Sequence, residues 1–352
     1  MEQVKTKREY YLDVIRIVAM ICVVMVHVDA MSWYQAPYTW YPWFILNIFD
    51  SIGRVSVPLF VMISGYLFLD PKRTITVRKI YTKSIPRILC AFFFWSFLYA
   101  LITSGFLSQR SFRGEVGRKF LDDLFYGHYH MWYLFVILGL YMVTPVLRAV
   151  AADEKALRYF LILSFALAYA MPTLQMIPII YRTKLHTNRI DYAFVTGYAF
   201  FYLFGYYIAS REQSKRERMV WYLLSIAGML VTWIGSSYMC MTEQYPNNNL
   251  HECLTMNVAL YSCGAFVFFK YRFRDMGRDS KACRIVQWLS EVSFGVYLVQ
   301  DFGMILMKKI GLTPTAFFPG LSVPILTLLD LLISIAVVWV IRKIPGLKRY
   351  VI

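Results

Sequence analysis

Residues 10–30 read YYLDVIRIVAMICVVMVHVDA, an apolar stretch that contains three ionisable side chains, Asp13, Arg16 and His27. Its length is that of a helix that crosses a bilayer, for which about 20 apolar residues are needed. Because a charged group at membrane depth is costly, such residues usually face the protein interior or a water-filled path and have a function there. The stretch therefore predicts a membrane helix with functional polar groups.

The rest of the chain also has the composition of a membrane protein. Of its 352 residues, 59% are hydrophobic and only 16% are charged, and the mean hydropathy is +0.49. Soluble proteins are about 45–50% apolar and about 25% charged. We predict an all-α polytopic membrane protein in which residues 1–352 form a single domain. The hydrophobic runs predict about ten transmembrane helices, near residues 10–30, 44–69, 84–104, 131–148, 157–175, 193–209, 219–240, 256–269, 286–308 and 321–341.

The positions of the basic residues predict the orientation of these helices. With the N-terminus in the cytoplasm, 26 of the 37 Lys and Arg residues lie in cytoplasmic segments, 9 lie in outer loops, and Arg16 and Arg54 lie inside helices. This bias marks the cytoplasmic side, so both termini are predicted to be cytoplasmic. No small-residue cleavage site follows the first apolar run, which we interpret as a retained helix. The net charge of +16 is assigned to topology and not to nucleic-acid binding.

The six cysteines form no metal-binding or redox motif. None lies in a CxxC pair or beside spaced histidines, and no metal site is predicted. Most of them lie in apolar runs, where cysteine packs as a small hydrophobic residue. Cys240 and Cys253 flank one outer loop, and the sequence leaves a disulfide between them open.

Arg16 and His27 project from nearly the same face of the first helix. Their separation of 11 residues brings them to within about 20° of alignment and places them roughly 17 Å apart along the axis. Asp13 lies one turn below Arg16, at a spacing that allows an ion pair. One interpretation is a structural Asp–Arg pair with an interfacial histidine. We favour the other, the wall of a buried substrate path, because three ionisable groups share one stretch.

The second predicted helix contains IFDSIGRVSVPLFVMISGYLFLD, residues 48–70. Asp50 and Arg54 are one turn apart, and Arg54 is expected at a depth similar to that of His27. Ser64 and Gly65 interrupt the apolar run, which suits either close packing of helices or the lining of a path.

The inner end of the third helix is a candidate site for a phosphorylated donor. Residues 78–91 read RKIYTKSIPRILCA, in which Arg87 already lies inside the apolar run. Arg and Lys side chains bind phosphate groups through charge-assisted hydrogen bonds. We therefore predict Arg78, Lys83 and Arg87 as donor-binding residues, with Ser64 as a further lining residue of the same path.

The outer start of the fourth helix is rich in imidazole and aromatic side chains. It begins YGHYHMWYLFVILGLYMVTPVLR, and His130, Trp132 and Tyr133 suit contacts to a sugar or another hydroxyl compound. For His128 and Trp132, anchoring at the membrane interface is an equal alternative. No motif or cluster of polar residues accompanies the two remaining histidines, His186 and His251, and we predict no role for them.

Four motifs in series resemble those of a known family. They are LDVIRIVAMICVVMVH, SVPLFVMISGYLFL, HMWYLFVILGLYMVTP and WLSEVSFGVYLV. Over nearly the whole chain they resemble the acyltransferase 3 family of bacterial membrane acyltransferases. The resemblance implies transfer of an acetyl or other short acyl group from cytoplasmic acyl-coenzyme A to a hydroxyl of a cell-surface polysaccharide or lipid-linked sugar. It also implies a location in the bacterial inner membrane.

The resemblance further implies roles for single residues. It makes His27 the catalytic histidine and Arg16 an essential residue on the same helix, and it assigns coenzyme A to the basic residues entering the third helix. The chain departs from the family at two places. Only Arg87 matches the paired arginines of the third helix, and Gln300, followed by Asp301, stands where the last motif commonly has histidine.

The predicted mechanism joins the two ends of the first helix. An extended pantetheine arm of roughly 15–20 Å matches the roughly 17 Å between Arg16 and His27. The coenzyme A head is expected to stay at the inner mouth while the thioester reaches His27. The imidazole then deprotonates the acceptor hydroxyl or takes the acyl group itself. Arg54 and Trp132 are predicted to position the acceptor or to stabilise oxyanion charge, and Asp13 to support Arg16.

The alternative is a transporter, in which the same polar stripe is a path for protons or sugars. The sequence lacks the internal repeat that many transporters show, which favours the enzyme. Expected partners are the lipid bilayer, acetyl-coenzyme A or another acyl-coenzyme A as donor substrate, and a glycan or lipid-linked sugar as acceptor. A homo-oligomer is left open, and no nucleic acid is expected.

Overall fold

The computed structural model describes residues 8–38, 41–109, 112–177, 197–274 and 281–352. Within these ranges the regular elements are helices. Nine of the described helices are long and apolar enough to cross a membrane, and a shorter apolar helix covers Ala199–Ser210. The prediction of an all-α polytopic membrane protein with about ten helices is confirmed. The first residues of the helix predicted at 193–209 lie outside the described residues.

Three of the main helices contain a stretch of wider, π-helical turns, at Ile80–Ser84, Phe165–Ala170 and Val231–Gly235. Each of these helices is counted as one, and the main helices are numbered in chain order. The helices are α1 (Tyr10–Trp33), α2 (Trp43–Gly53), α3 (Ser56–Leu69), α4 (Val77–Thr103), α5 (Gly114–Tyr126), α6 (Trp132–Ala152), α7 (Glu154–Gln175), α8 (Ala199–Ser210), α9 (Lys215–Glu243), α10 (Met256–Phe273), α11 (Lys281–Lys309), α12 (Pro319–Ile341) and α13 (Pro345–Tyr350).

The span predicted at 44–69 is present but is broken into α2 and α3 at Arg54. Pro58 explains the break. Proline has no backbone N–H and its ring crowds the carbonyl four residues earlier, which here belongs to Arg54. The helical ladder is therefore interrupted at this point, and Arg54 lies at a helix end instead of inside a continuous helix.

Helix α1 lies at the centre of the bundle. It packs against α2, α3, α10, α11 and α12, and Ile15, Ala19, Val24 and Val28 on it are fully buried. A helix enclosed in this way is apolar around most of its circumference. Its polar residues consequently face other helices or an internal space, which is where ionisable groups are found in membrane proteins.

Helices α3 and α8 approach each other at two glycines. A Cβ atom on Gly65 would overlap the backbone of Tyr202, and one on Gly205 would overlap the backbone of Met62. Small residues permit this close contact between membrane helices. Close packing is therefore the role of Gly65, whereas its neighbour Ser64 borders the cavity described below.

Cys240 and Cys253, between which the sequence left a disulfide open, are both free thiols. The sulfur of Cys240 is 3.2 Å from the backbone nitrogen and from the backbone oxygen of Asn247. This contact holds the loop that follows α9 without a disulfide.

Candidate active site

A cavity of about 590 Å³ runs into the bundle between α1, α3, α4, α6 and α11. Pockets for small ligands and cofactors measure about 300–1,000 Å³. We call the end of the bundle with the basic clusters the inner end and the opposite one the outer end. Five predicted site residues border this inner cavity: Arg16, Ser64, Lys83, Arg87 and Tyr133. The sequence placed them on four separate helices, and the fold brings them to one space.

Arg16 forms part of the cavity wall where α1 meets α11. Its Nη1 donates a hydrogen bond of 3.0 Å to Ser290 Oγ and lies 3.7 Å from Asp13. Asp13 has closer partners, because it accepts from Ser290 Oγ at 2.6 Å and from Arg8 Nε at 2.7 Å. The guanidinium of Arg16 offers several N–H donors, of which one is hydrogen-bonded within the described part of the chain. The others are available to a ligand in the cavity.

The predicted basic residues of α4 divide into two groups. Arg87 and Lys83 are exposed at the inner mouth and border the cavity. Arg87 Nη2 also donates a 2.9 Å hydrogen bond to the backbone oxygen of Ile352. Arg78 is exposed further along α4 and does not border this cavity. The structure thus brings two of the three predicted donor residues to the mouth.

Two tyrosines in the cavity wall connect the cavity to the histidines of the outer end. The rings of Tyr133 and Tyr297 are 5.7 Å apart, and both border the cavity. The Tyr297 hydroxyl donates a 2.6 Å hydrogen bond to the backbone oxygen of His130. The ring of His130 in turn lies 6.1 Å from that of His27, which does not border the cavity. Tyr297 and His130 thus link the wall of the inner cavity to His27, which itself lies outside the cavity lining.

His27 lies beyond the tyrosines on the outer half of α1, half-buried and edge-on to Tyr129 at 5.6 Å. Its Nδ1 has no hydrogen-bond partner among the described residues. Gln300 lies close enough to interact with it, and both amide atoms of this buried side chain are also unpaired within the described ranges. Buried polar groups are normally hydrogen-bonded. The space beside His27 and Gln300 therefore contains polar atoms that the described residues leave unsatisfied.

A hydrogen-bonded chain links His130 to a carboxylate on α11. His130 Nδ1 and His128 Nδ1 are 3.1 Å apart, and His128 Nε2 is 3.4 Å from Asp301, which also accepts a 2.8 Å hydrogen bond from Tyr129. In a neutral imidazole one ring nitrogen donates and the other accepts, so this chain can orient both rings and relay a proton. The Nε2 atom of His130 is buried and has no hydrogen-bond partner among the described residues.

Arg54 lies at the outer end, as its position in the sequence predicted. It holds Asp50 through hydrogen bonds of 2.6–3.0 Å, and Asp50 is also 3.2 Å from His251 Nε2. Asp50 and Arg54 are near enough to His27 to interact with it electrostatically. Asp29, fully buried on the same helix as His27, has both carboxylate oxygens unpaired among the described residues.

The three predicted acceptor contacts lie in different surroundings. His130 is buried next to His27, and Tyr133 borders the inner cavity. Trp132 is 40% exposed and packs against Tyr198 at a ring distance of 5.9 Å. His130 and Tyr133 both contact the ring of Tyr297, whereas Trp132 packs against a different neighbour. His186 lies outside the described residues.

The chain matches a family model whose description is "Acyltransferase domain" over residues 9–343, nearly its whole length. The chain belongs to the acyltransferase 3 family. Among proteins of curated function and among solved structures, none matches it. The resemblance inferred from the four motifs is confirmed, and the protein is a membrane-embedded acyltransferase of this family.

The sequence predicts no role for two polar residues of this acyltransferase, Gln300 and Asp301, which it shows only as a departure from the family. For His128 it leaves contact to a hydroxyl compound and anchoring at the membrane interface as equal alternatives. The sequence does contain an indication that Asp301 is functional, because Asp301 is an ionisable residue within an apolar helix, as Arg16 is. The partnership of Ser290 with Arg16 joins residues 274 positions apart, and no local pattern predicts it.

Proposed function

We propose that this membrane acyltransferase transfers an acetyl or other short acyl group from acyl-coenzyme A to a hydroxyl of a cell-surface polysaccharide or lipid-linked sugar. The donor enters at the inner mouth, the acceptor meets His27 at the outer end, and the protein acts in the bacterial inner membrane. The observation that supports this most is the inner cavity, which has Lys83 and Arg87 at its mouth and Arg16 in its wall.

The inner cavity has the chemistry that an acyl-coenzyme A donor requires. Its mouth offers cationic side chains, whose hydrogen bonds to phosphate are roughly twice as strong as those between neutral groups. Its deeper part is bordered by apolar side chains, among them Ile88, Leu134 and Ile137, which suit an uncharged pantetheine arm. The roughly 17 Å from Arg16 to His27 matches an extended arm of roughly 15–20 Å.

At the outer end, His27 acts as the catalytic base in this proposal. It takes the hydroxyl proton of the acceptor, the oxygen attacks the thioester carbonyl, and the C–S bond breaks. The proton then passes from His27 to the coenzyme A thiolate, so no proton is consumed overall. Transfer through an acyl-His27 intermediate is the alternative route.

When the acceptor oxygen attacks, negative charge develops on the carbonyl oxygen of the thioester. A hydrogen-bond donor near His27 is needed to stabilise this charge. Gln300 offers an amide that is unpaired among the described residues. Arg54 lies within electrostatic range of His27 but is bound to Asp50. Trp132, also predicted for this role, packs against Tyr198 instead. Gln300 is therefore the strongest candidate for the hydrogen-bond donor to the carbonyl oxygen, and the positive charge of Arg54 adds electrostatic stabilisation.

The donor site can be tested at Arg87. We expect Arg87→Ala to raise the Kd for acetyl-coenzyme A roughly 10–150-fold, because a hydrogen bond to a charged group contributes about 1.5–3 kcal/mol. Isothermal titration of the purified protein measures this directly. Lys72→Ala removes the same charge from an exposed residue that does not border the cavity, and its affinity should stay at the wild-type value.

Unchanged donor affinity in Arg87→Ala would contradict the proposed donor site. Because Arg87 also holds the backbone of Ile352, Lys83→Ala provides a second test at the same mouth. Equal affinity in both variants would place the donor elsewhere, such as at the basic segment 270–284.

A further inference from the structure

Asp301 is a buried carboxylate of α11 that the proposed mechanism has not used. Its side chain is only 8% exposed, and an ionisable group within a membrane helix is costly, so such residues usually have a function. The carboxylate accepts a 2.8 Å hydrogen bond from the Tyr129 hydroxyl and lies 3.4 Å from His128 Nε2. Asp301 therefore contacts the segment between α5 and α6, to which His130 also belongs.

The ring of His128 is held on several sides. It stacks on the Tyr99 ring at 4.5 Å, and the Tyr99 hydroxyl donates a 2.8 Å hydrogen bond to the backbone oxygen of Leu298. Its Nε2 faces Asp301, and its Nδ1 is 3.1 Å from His130 Nδ1. Because the partner of one imidazole nitrogen determines which nitrogen carries the proton, a change at Asp301 is transmitted through His128 to His130.

His130 has one ring nitrogen available for a ligand. Its backbone oxygen accepts a 2.6 Å hydrogen bond from the Tyr297 hydroxyl, and its Nδ1 faces His128. Its Nε2 is buried and unpaired within the described ranges. A hydroxyl group both donates and accepts hydrogen bonds, so it suits this nitrogen whether or not the nitrogen carries the proton.

The ring of His130 lies next to the base of the proposed mechanism. The rings of His27 and His130 are 6.1 Å apart, and His27 Nδ1 is also unpaired in the described part of the chain. Hydrogen bonds from nitrogen to oxygen are about 2.7–3.2 Å long. Two adjacent hydroxyls of one sugar can therefore each contact one of the two rings.

We propose that Asp301 is a positioning residue, which through His128 holds His130 Nε2 to bind a second hydroxyl of the acceptor, adjacent to the hydroxyl that His27 deprotonates. The inference rests on the proposed function, because it takes a sugar as the acceptor and His27 as the base. It adds the requirement that the acceptor is a diol with adjacent hydroxyls. Holding both hydroxyls fixes the reacting oxygen, and a displacement of about 1 Å there can cost about 10²-fold in rate.

Asp301→Asn tests this positioning role in the full-length protein. The amide still accepts from Tyr129, but it also offers an N–H donor to His128 and no longer selects one tautomer. We expect the apparent KM for acceptor extracted from the cell envelope to rise about tenfold, while the Kd for acetyl-coenzyme A and the melting temperature stay at the wild-type values. In protein labelled at its histidine nitrogens, the NMR shifts of His128 and His130 should change.

Two further variants complete the comparison. Asp330→Asn makes the same change at a fully buried carboxyl of α12 that has no hydrogen-bond partner among the described residues, and the KM for the acceptor and the shifts of His128 should stay as in the wild type. His128→Phe keeps the stacking on Tyr99 but removes both ring nitrogens, so it should raise the KM as Asp301→Asn does. It decides the matter if Asp301→Asn does not fold.

The outcomes separate the inference from the proposed function. A wild-type KM for the acceptor in Asp301→Asn and His128→Phe, beside an active wild-type protein, would overturn the inference and leave the proposed function intact. A raised KM with an equal loss of donor affinity or of thermal stability would also overturn it, because a structural defect explains both. If the wild-type protein transfers no acyl group to the extracted acceptor, the proposed function fails and the inference fails with it.

Discussion

Replacing His27 with alanine is expected to lower acyl transfer by about 10²–10⁴-fold, the usual contribution of a general base. The variant should lose activity without losing folding stability, because His27 Nδ1 has no hydrogen-bond partner among the described residues and the ring is only half-buried. We therefore expect expression and thermal stability close to wild type. The measurement is turnover of acetyl-coenzyme A by purified protein in liposomes that contain acceptor extracted from the cell envelope.

His27→Gln is the matched control for this result. It keeps a polar side chain of similar size but has no basic nitrogen, so it should be as inactive as the alanine variant. Recovery of activity in His27→Gln would mean that His27 only fills space or donates a hydrogen bond. Turnover at the wild-type rate in His27→Ala would remove His27 from the mechanism altogether.

Replacing Arg16 with methionine is expected to lower transfer by about 10²–10³-fold while the protein still folds. That magnitude is typical for loss of one preorganised donor to a reacting or bound group. The structure makes this single change cleaner than removal of the Asp13–Arg16 pair. Asp13 keeps its shorter contacts to Arg8 and Ser290 when Arg16 is absent, so no buried carboxylate is left without a partner.

Asp13→Asn gives the comparison that separates the two roles of this pair. It disturbs the contacts to Arg8 and Ser290 but leaves the cavity side of Arg16 in place. We expect it to lower the melting temperature more than Arg16→Met and to lower transfer less. Full transfer in Arg16→Met would reduce Arg16 to a structural partner and leave the donor path without its inner contact.

The sequence predicted those features that depend on the geometry of a single helix. The period of about 3.6 residues places Arg16 and His27 on one side of α1, and both do face α11, at Ser290 and near Gln300. The lengths of the hydrophobic runs predicted the membrane-spanning helices in the same way, because a helix makes all its backbone hydrogen bonds within its own segment and can therefore cross the bilayer. The four motifs predicted the acyltransferase family and with it acyl transfer as the reaction, and the family is confirmed.

Features that depend on which helices meet were beyond the sequence. The Asp301–His128 contact and the contact between the rings of Tyr133 and Tyr297 join segments that are far apart in the sequence. Helix pairing in membranes is determined by close packing of side chains, which leaves little local periodicity to detect. Trp132 is an example, because its position in the sequence next to Tyr133 does not place it at the cavity that Tyr133 borders.

Analysis of acyl esters in intact cells tests the central claim most directly. Cell-surface polysaccharide and lipid-linked sugars are extracted from a deletion strain that expresses either the wild-type protein or His27→Ala, and alkali-labile esters are measured by mass spectrometry. Transfer from a cytoplasmic donor to an envelope hydroxyl predicts a sugar ester that is present with the wild-type protein and absent with His27→Ala. Identical ester profiles in the two strains would contradict the account.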